Sequence, residues 1–150
     1  MTDVRHTLRF SARMNISYHE GLERFYGQWL GWSSFVSLIL SSAAFAALSN
    51  LVPQSLQPFR EWLLAALALV VTTLNGGVLA FGMRGKFITH AELKRKWIDF
   101  LGRVETAEET ELPALERKFH ELNAQEPASY PRRLNRAYAD ACTMLGVKPV

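Results

Sequence analysis

WLLAALALVVTTLNGGVLAFGM, residues 62–83, is the stretch that decides how this chain is interpreted, because it contains no charged residue. An earlier stretch, residues 26–49, is equally free of charge. The only charged residues between the two stretches are Arg60 and Glu61. A helix needs about 20 apolar residues to cross a bilayer. The two stretches therefore predict a hairpin of two membrane-spanning helices.

The predicted fold class is an all-α membrane protein. Pro53 and Pro58 lie between the two stretches, and proline ends helices because it lacks a backbone donor. The predicted organisation is a basic juxtamembrane helix over 1–25, transmembrane helices over 26–49 and 62–84, a short external loop over 50–61, and a cytoplasmic tail of about three helices over 85–150.

Basic residues flank the predicted hairpin on both sides, whereas its connecting loop has only Arg60. The positive-inside rule then places both termini in the cytoplasm. We expect the flanking cations to set this topology and to meet anionic lipid headgroups, which makes membrane lipid a predicted partner. These cations are Arg5, Arg9, Arg13, Arg24, Arg84 and Lys86.

Small and hydroxyl side chains recur at a spacing of four in both stretches, which is typical of helix packing in lipid. Asn75 lies among them and needs a polar partner in an apolar surrounding. It would bond a serine of the first helix, meet copies of itself in an oligomer, or line a water-filled path. The predicted packing or pore-lining set is Ser33, Ser37, Ser41, Ala68, Thr72, Asn75, Gly76 and Ala80.

The tail shows apolar residues with a helical period. We expect three amphipathic helices that pack on one another, the last over Pro131–Leu145 and ended by Gly146. The predicted packing residues are Leu93, Trp97, Phe100, Leu101, Leu115, Phe119, Leu122, Leu134 and Tyr138.

The sequence offers little for chemistry. Its four histidines, His6, His19, His90 and His120, stand apart from one another, and the single Cys142 is expected to be a partly buried thiol. We find no phosphate-binding glycine loop, nucleophile elbow or metal-ligand spacing. We therefore expect no enzyme, no cofactor and no metal, and we expect the net charge of +3 to serve lipid rather than nucleic acid.

The layout resembles the SLATT family of small proteins with two transmembrane helices. The resemblance rests on the basic arm RHTLRFSARMNISYHEGLERFYGQW, on the two close apolar stretches, and on NAQEPASYPRRLNRAYADA near the end. It implies a homo-oligomeric effector in the bacterial inner membrane, forming a pore or ion channel in antiviral defence. A separate sensor or signalling partner would trigger it.

Two other functions stay open at this point. The chain would be a non-conducting membrane adaptor that docks a soluble partner through its tail helices, or a phage holin or superinfection-exclusion protein. The absence of charge within each predicted span argues against an ion-coupled transporter.

Overall fold

The computed structural model describes residues 4–41 and 57–147, and the regular secondary structure in these ranges is helical, with no strand. Five α-helices and one 3-10 turn are described, and the 3-10 turn leads directly into the fourth α-helix. The elements are α1 (Val4–Ser41), α2 (Gln57–Ala80), α3 (Met83–Thr106), the 3-10 turn (Glu109–Glu111), α4 (Leu112–Asn123) and α5 (Pro131–Leu145).

The chain divides into two compact units. The terminal unit combines Met1–Arg24 with Phe87–Val150, so the two ends of the sequence fold together. The middle unit is Phe25–Lys86. Both boundaries fall within helices, the first within α1 and the second within α3.

The terminal unit has a hydrophobic core that draws on α1, α3 and α4. Trp97 is fully buried, and its ring meets Phe100 and Phe119 edge-on at centroid distances of 5.6 and 5.8 Å. Such edge-to-face pairs add about 0.5–1.5 kcal/mol beyond burial. Leu8 and Ala12 of α1 belong to the same core, which is how the N-terminal helix is fixed against the C-terminal half.

The last helix has well-defined ends. Pro131 occupies its first position, where a fixed φ and a missing donor cost nothing. Gly146 follows Leu145 with φ +66°, a left-handed conformation that glycine adopts without strain. α5 therefore has the same limits as the helix predicted from the sequence.

The middle unit contains the second half of α1 and all of α2. Ser37 Oγ of α1 donates to Asn75 Oδ1 of α2 across 3.2 Å. Ser41 Oγ bonds the Ser37 carbonyl within α1. Large apolar side chains on these helices are exposed, with Trp32 at 66% and Trp62 at 77%.

Within the described ranges, the search for a helix both long and apolar enough to cross a membrane finds none.

That finding corrects several expectations. The membrane fold class with transmembrane helices over 26–49 and 62–84 is a wrong prediction. So is the location in a bacterial inner membrane with both termini cytoplasmic. A pore or ion channel would need that hairpin and has no support. Residues 42–56, which hold the end of the first predicted span and most of the predicted loop, lie outside the described residues.

Candidate anion-binding cleft

A cleft of about 570 Å³ lies between α1 and α5 in the terminal unit. We call it the arginine cleft, because guanidinium groups are its most frequent charged groups. Its lining is Ser17, Tyr18, Glu20, Gly21 and Arg24 from α1, and Arg132, Arg133, Arg136, Ala137, Asp140 and Met144 from α5.

Helical spacing brings these side chains onto one face of each helix. On α5, Arg132, Arg136 and Asp140 follow one another at intervals of four, and side chains four apart lie one above the other. On α1, Ser17 and Gly21 have the same spacing, with Arg24 three residues further on. The cleft therefore has a wall from each helix.

Three polar contacts hold the walls. Ser17 Oγ donates to Asp140 Oδ2 at 3.0 Å, and Arg133 donates to the Gly21 carbonyl at 3.1 Å, so both contacts join α1 to α5. Arg24 forms an ion pair with Glu20 at 2.9 Å on α1 itself. The acidic groups of the cleft are thus already engaged.

Arg132 and Arg136 are different. Both side chains are exposed, and among the described residues neither side chain forms an ion pair or hydrogen bond. The first turn of α5 carries no acidic residue to offset them. Two guanidinium groups therefore face the cleft with their donors available.

Tyr18 forms part of the floor. Its hydroxyl oxygen accepts a hydrogen bond from the Tyr130 backbone N–H at 3.0 Å, immediately before α5. Burial raises the pKa of the Tyr18 hydroxyl, and the Tyr130 hydrogen bond acts in the opposite direction. Tyr18 is 3% exposed, so it links the cleft to the interior.

Below Tyr18 two histidines meet, and we call His19 and His90 the imidazole pair. Their Nδ1 atoms are 2.9 Å apart, and the side chains are 0% and 4% exposed. His19 Nε2 lies 2.8 Å from Glu126 Oε1, which also accepts from Trp97 Nε1–H at 2.7 Å. The pair thus joins α1, α3 and the segment before α5.

The described part of the chain contains no candidate metal-binding site. No group of three or more histidine, cysteine or acidic side chains there could hold an ion. The imidazole pair has only two converging nitrogens, and their 2.9 Å separation is that of a hydrogen bond.

The cations predicted to meet lipid headgroups lie mostly in protein contacts. Arg5 donates to the Ala107 carbonyl at 2.7 Å. Arg9 and Arg13 both approach Glu105, at 3.8 and 3.2 Å. Arg24 lines the arginine cleft, and Arg84 and Lys86 are exposed in the middle unit. α1 therefore uses its basic face to bind α3 and the residue that follows it.

The predicted packing residues divide between the two units. In the middle unit Ser33 is buried and Ser37 bonds Asn75, whereas Ala68, Thr72, Gly76 and Ala80 are exposed. The predicted tail residues all belong to the terminal unit, where Trp97, Phe100, Leu115 and Leu122 form part of the core and Leu101 and Phe119 pack against it. Of these, Leu93, Trp97, Phe100, Leu115 and Leu122 are buried, and Leu101, Phe119, Leu134 and Tyr138 are half-buried.

Sequence reasoning missed the arginine cleft and the imidazole pair. The sequence did contain a signal for the cleft, namely three arginines near the start of one predicted helix, Arg132, Arg133 and Arg136. Cations there oppose the helix dipole, so they indicate a role other than helix stability. The imidazole pair had no such signal. His19 and His90 are far apart in sequence, so only the packing of α1 on α3 reveals their contact.

Comparison with protein families, curated proteins and solved structures gave no match at any of the three levels. The resemblance to the SLATT family therefore stays a prediction from the sequence.

Proposed function

We propose that the terminal unit is a binding module whose arginine cleft takes a divalent oxyanion, either a small phosphomonoester-like ligand or the same group on a partner protein. This keeps the part of the adaptor hypothesis in which the C-terminal helices dock a partner. The observation that carries the proposal is the pair of unengaged guanidinium groups, Arg132 and Arg136, on one wall of a cleft of ligand size.

Charge balance supports a divalent ligand. Four arginines line the cleft against two carboxylates, Glu20 and Asp140, so the guanidinium groups exceed the carboxylates by two positive charges. Both carboxylates have partners within the cleft walls. An anion of two charges would neutralise the excess without displacing either contact.

The placement of the cations favours binding over stability. Positive charge near a helix N-terminus opposes the helix dipole and costs about 0.3–1 kcal/mol per charge at exposed sites. The first turns of α5 carry Arg132, Arg133 and Arg136 and no acid. A bound anion would remove this repulsion, since it is attracted both by the guanidinium groups and by the helix end.

The geometry of the side chains suits an oxyanion. A guanidinium presents a planar fork of donors that matches phosphate oxygens two at a time. The cleft volume lies within the about 300–1,000 Å³ usual for small-molecule sites. Tyr18, Ala137 and Met144 add apolar surface for the body of a ligand. Arginine stays charged near neutral pH and does not act as a base, so the cleft suits recognition rather than proton transfer.

Calorimetric titration of the full chain with inorganic phosphate and with sulfate tests the proposal. We expect the double variant Arg132→Gln/Arg136→Gln to bind at least about tenfold more weakly than the wild type, since each lost charged hydrogen bond costs about 1.5–3 kcal/mol. The matched control Arg95→Gln changes an exposed arginine of α3 outside the cleft. Absence of wild-type binding, or equal affinities in all three proteins, would contradict the proposal.

As a second function, we propose that the middle unit associates with a second copy of the chain. Its described helices expose Trp29, Trp32, Phe35, Trp62 and Leu79, and contiguous exposed apolar side chains mark association surfaces. A second copy offers a surface equally free of charge. We expect a particle mass above the monomer, lowered by Trp32→Ser/Trp62→Ser; a monomeric wild type at all concentrations would refute it.

A further inference from the structure

We infer that the ligand of the arginine cleft is a phosphomonoester of a polyol, such as a sugar phosphate, whose hydroxyl groups are bound by the Asp140 carboxylate. The inference rests on the proposed function, which supplies the phosphate site, and it names the part of the ligand that lies beyond the phosphate. It starts from an acidic side chain that lines a cleft for an anion.

The place of Asp140 in this cleft needs a reason. Among the described residues no basic side chain pairs with Asp140, and its one hydrogen bond comes from the neutral hydroxyl of Ser17 at 3.0 Å. The other acid of the cleft, Glu20, is paired with Arg24. A carboxylate without a cationic partner repels a phosphate, and more strongly away from bulk water. Asp140 therefore weakens the binding of a bare anion, so we assign it to another group of the ligand.

Asp140 has acceptor capacity left for such a group. An ionised carboxylate offers about four sites that accept hydrogen bonds and none that donates, and Ser17 occupies one of these sites. The complementary ligand group is thus a donor, either a hydroxyl or an ammonium. The Ser17 bond also joins α1 to α5 and holds the half-buried carboxylate in place, which reduces the side-chain freedom lost on binding.

The charge of the cleft selects a hydroxyl over an ammonium. Its guanidinium groups exceed its carboxylates by two positive charges. A phosphomonoester with neutral hydroxyls carries about −1.5 to −2 charges near pH 7, which matches that excess. An added ammonium would reduce the negative charge of the ligand by one and leave part of the excess unbalanced.

The order of side chains along α5 suits a polyol phosphate. Arg132, Arg136, Asp140 and Met144 line the cleft at intervals of four residues, so successive Cβ atoms are about 5–6 Å apart. That distance is close to the reach from a phosphate to a hydroxyl two or three carbons away. Met144 is 62% exposed and offers apolar surface to the carbon skeleton. A free phosphate ion would fill only a small part of the cleft of about 570 Å³.

Calorimetric titration of the full chain with a matched pair of probes tests the inference. Glycerol 3-phosphate and propyl phosphate share a phosphate and a three-carbon skeleton, and only the first carries free hydroxyl groups. Inorganic phosphate is the third probe and reports on the guanidinium groups alone. The titrations are made at about pH 7.5, above the second phosphate pKa of about 6.

Two variants separate the Asp140 carboxylate from other charges. In Asp140→Asn the amide oxygen still accepts from Ser17, but the side chain has no charge. Asp99→Asn is the matched control, because Asp99 is an exposed aspartate of α3 outside the arginine cleft.

We expect wild type and Asp99→Asn to bind glycerol 3-phosphate about tenfold more tightly than propyl phosphate, since hydrogen bonds to charged groups are the stronger ones. In Asp140→Asn this preference should fall to about threefold or less, because a neutral hydrogen bond is about half as strong. The same variant should bind propyl phosphate more tightly than wild type does, since the repelling charge is gone. Equal preferences in all three proteins, or no preference in wild type, would overturn the inference.

The inference and the proposed function fail in different ways. If wild type binds inorganic phosphate but does not prefer glycerol 3-phosphate over propyl phosphate, the anion site stands and the polyol inference falls. If wild type binds none of the three probes, the proposed function falls and the inference falls with it.

If Asp140→Asn does not fold, carbon-13 NMR of the wild-type Asp140 carboxyl group decides the matter. A chemical-shift change with glycerol 3-phosphate that is absent with propyl phosphate supports the inference. The same change with both probes refutes it.

Discussion

The terminal and middle units differ in how their helices associate. The terminal unit buries its large side chains around Trp97 and ties its helices with polar contacts such as Ser17 to Asp140 and His19 to His90. The described part of the middle unit exposes Trp32 and Trp62. The polar contact described between its helices joins Ser37 to Asn75.

The difference teaches where specificity comes from in this chain. Apolar burial is proportional to area and is not directional, so it does not by itself fix which helix faces which. In the terminal unit polar contacts also fix the register of α1, against α3 through His19 and His90 and against α5 through Ser17 and Asp140. In the middle unit the apolar surface stays available, which is why we assign recognition of an anion to the first unit and self-association to the second.

We expect the largest difference in stability between the two units when the tryptophan at the centre of the terminal core, Trp97, is removed. Trp97→Ala removes a fully buried ring and the donor to Glu126, so we expect the unfolding free energy to fall by about 3–5 kcal/mol. Trp62→Ala, the matched change in the middle unit, should cost less than about 1 kcal/mol where the wild type is monomeric. Denaturant unfolding measures both, and equal losses would remove the distinction between the units.

Sequence reasoning reached the helices of the terminal unit because their signals are local. The period of Leu93, Trp97 and Phe100 follows from burial on one helix face, and Pro131 and Gly146 mark helix ends by backbone chemistry alone. Nothing about these signals depends on which helix is the neighbour.

Contacts that depend on a distant neighbour could not be predicted from the sequence. Glu105, which Arg9 and Arg13 approach, is such a neighbour, because it is distant from both in sequence. The prediction of two membrane spans used the length of the two apolar stretches and their lack of charge, and neither depends on which helix is the neighbour. His19 and His90 became a pair only through tertiary packing. The arginines of α5 stood on one predicted helix, yet their cleft needs the facing wall from α1.

We expect a smaller effect on the alkaline pH dependence of stability when Tyr18 is changed. Because burial raises its folded-state pKa above the unfolded value of about 10, the folded chain holds its proton longer than the unfolded chain. Stability linked to this group is complete below about pH 10 and is lost as pH rises from there through the folded pKa. Tyr18→Phe should flatten the alkaline profile of the unfolding free energy. An unchanged alkaline slope would show that Tyr18 does not contribute to it.

The most direct test of the central claim is to locate sulfate by NMR on the side-chain Nε–H groups of the arginines. The account predicts that Arg132 and Arg136 shift together and saturate at one affinity, while Arg95 and Arg117, which lie outside the cleft, do not follow that curve. Uniform, non-saturating shifts of all exposed arginines would contradict the existence of an anion site in the arginine cleft.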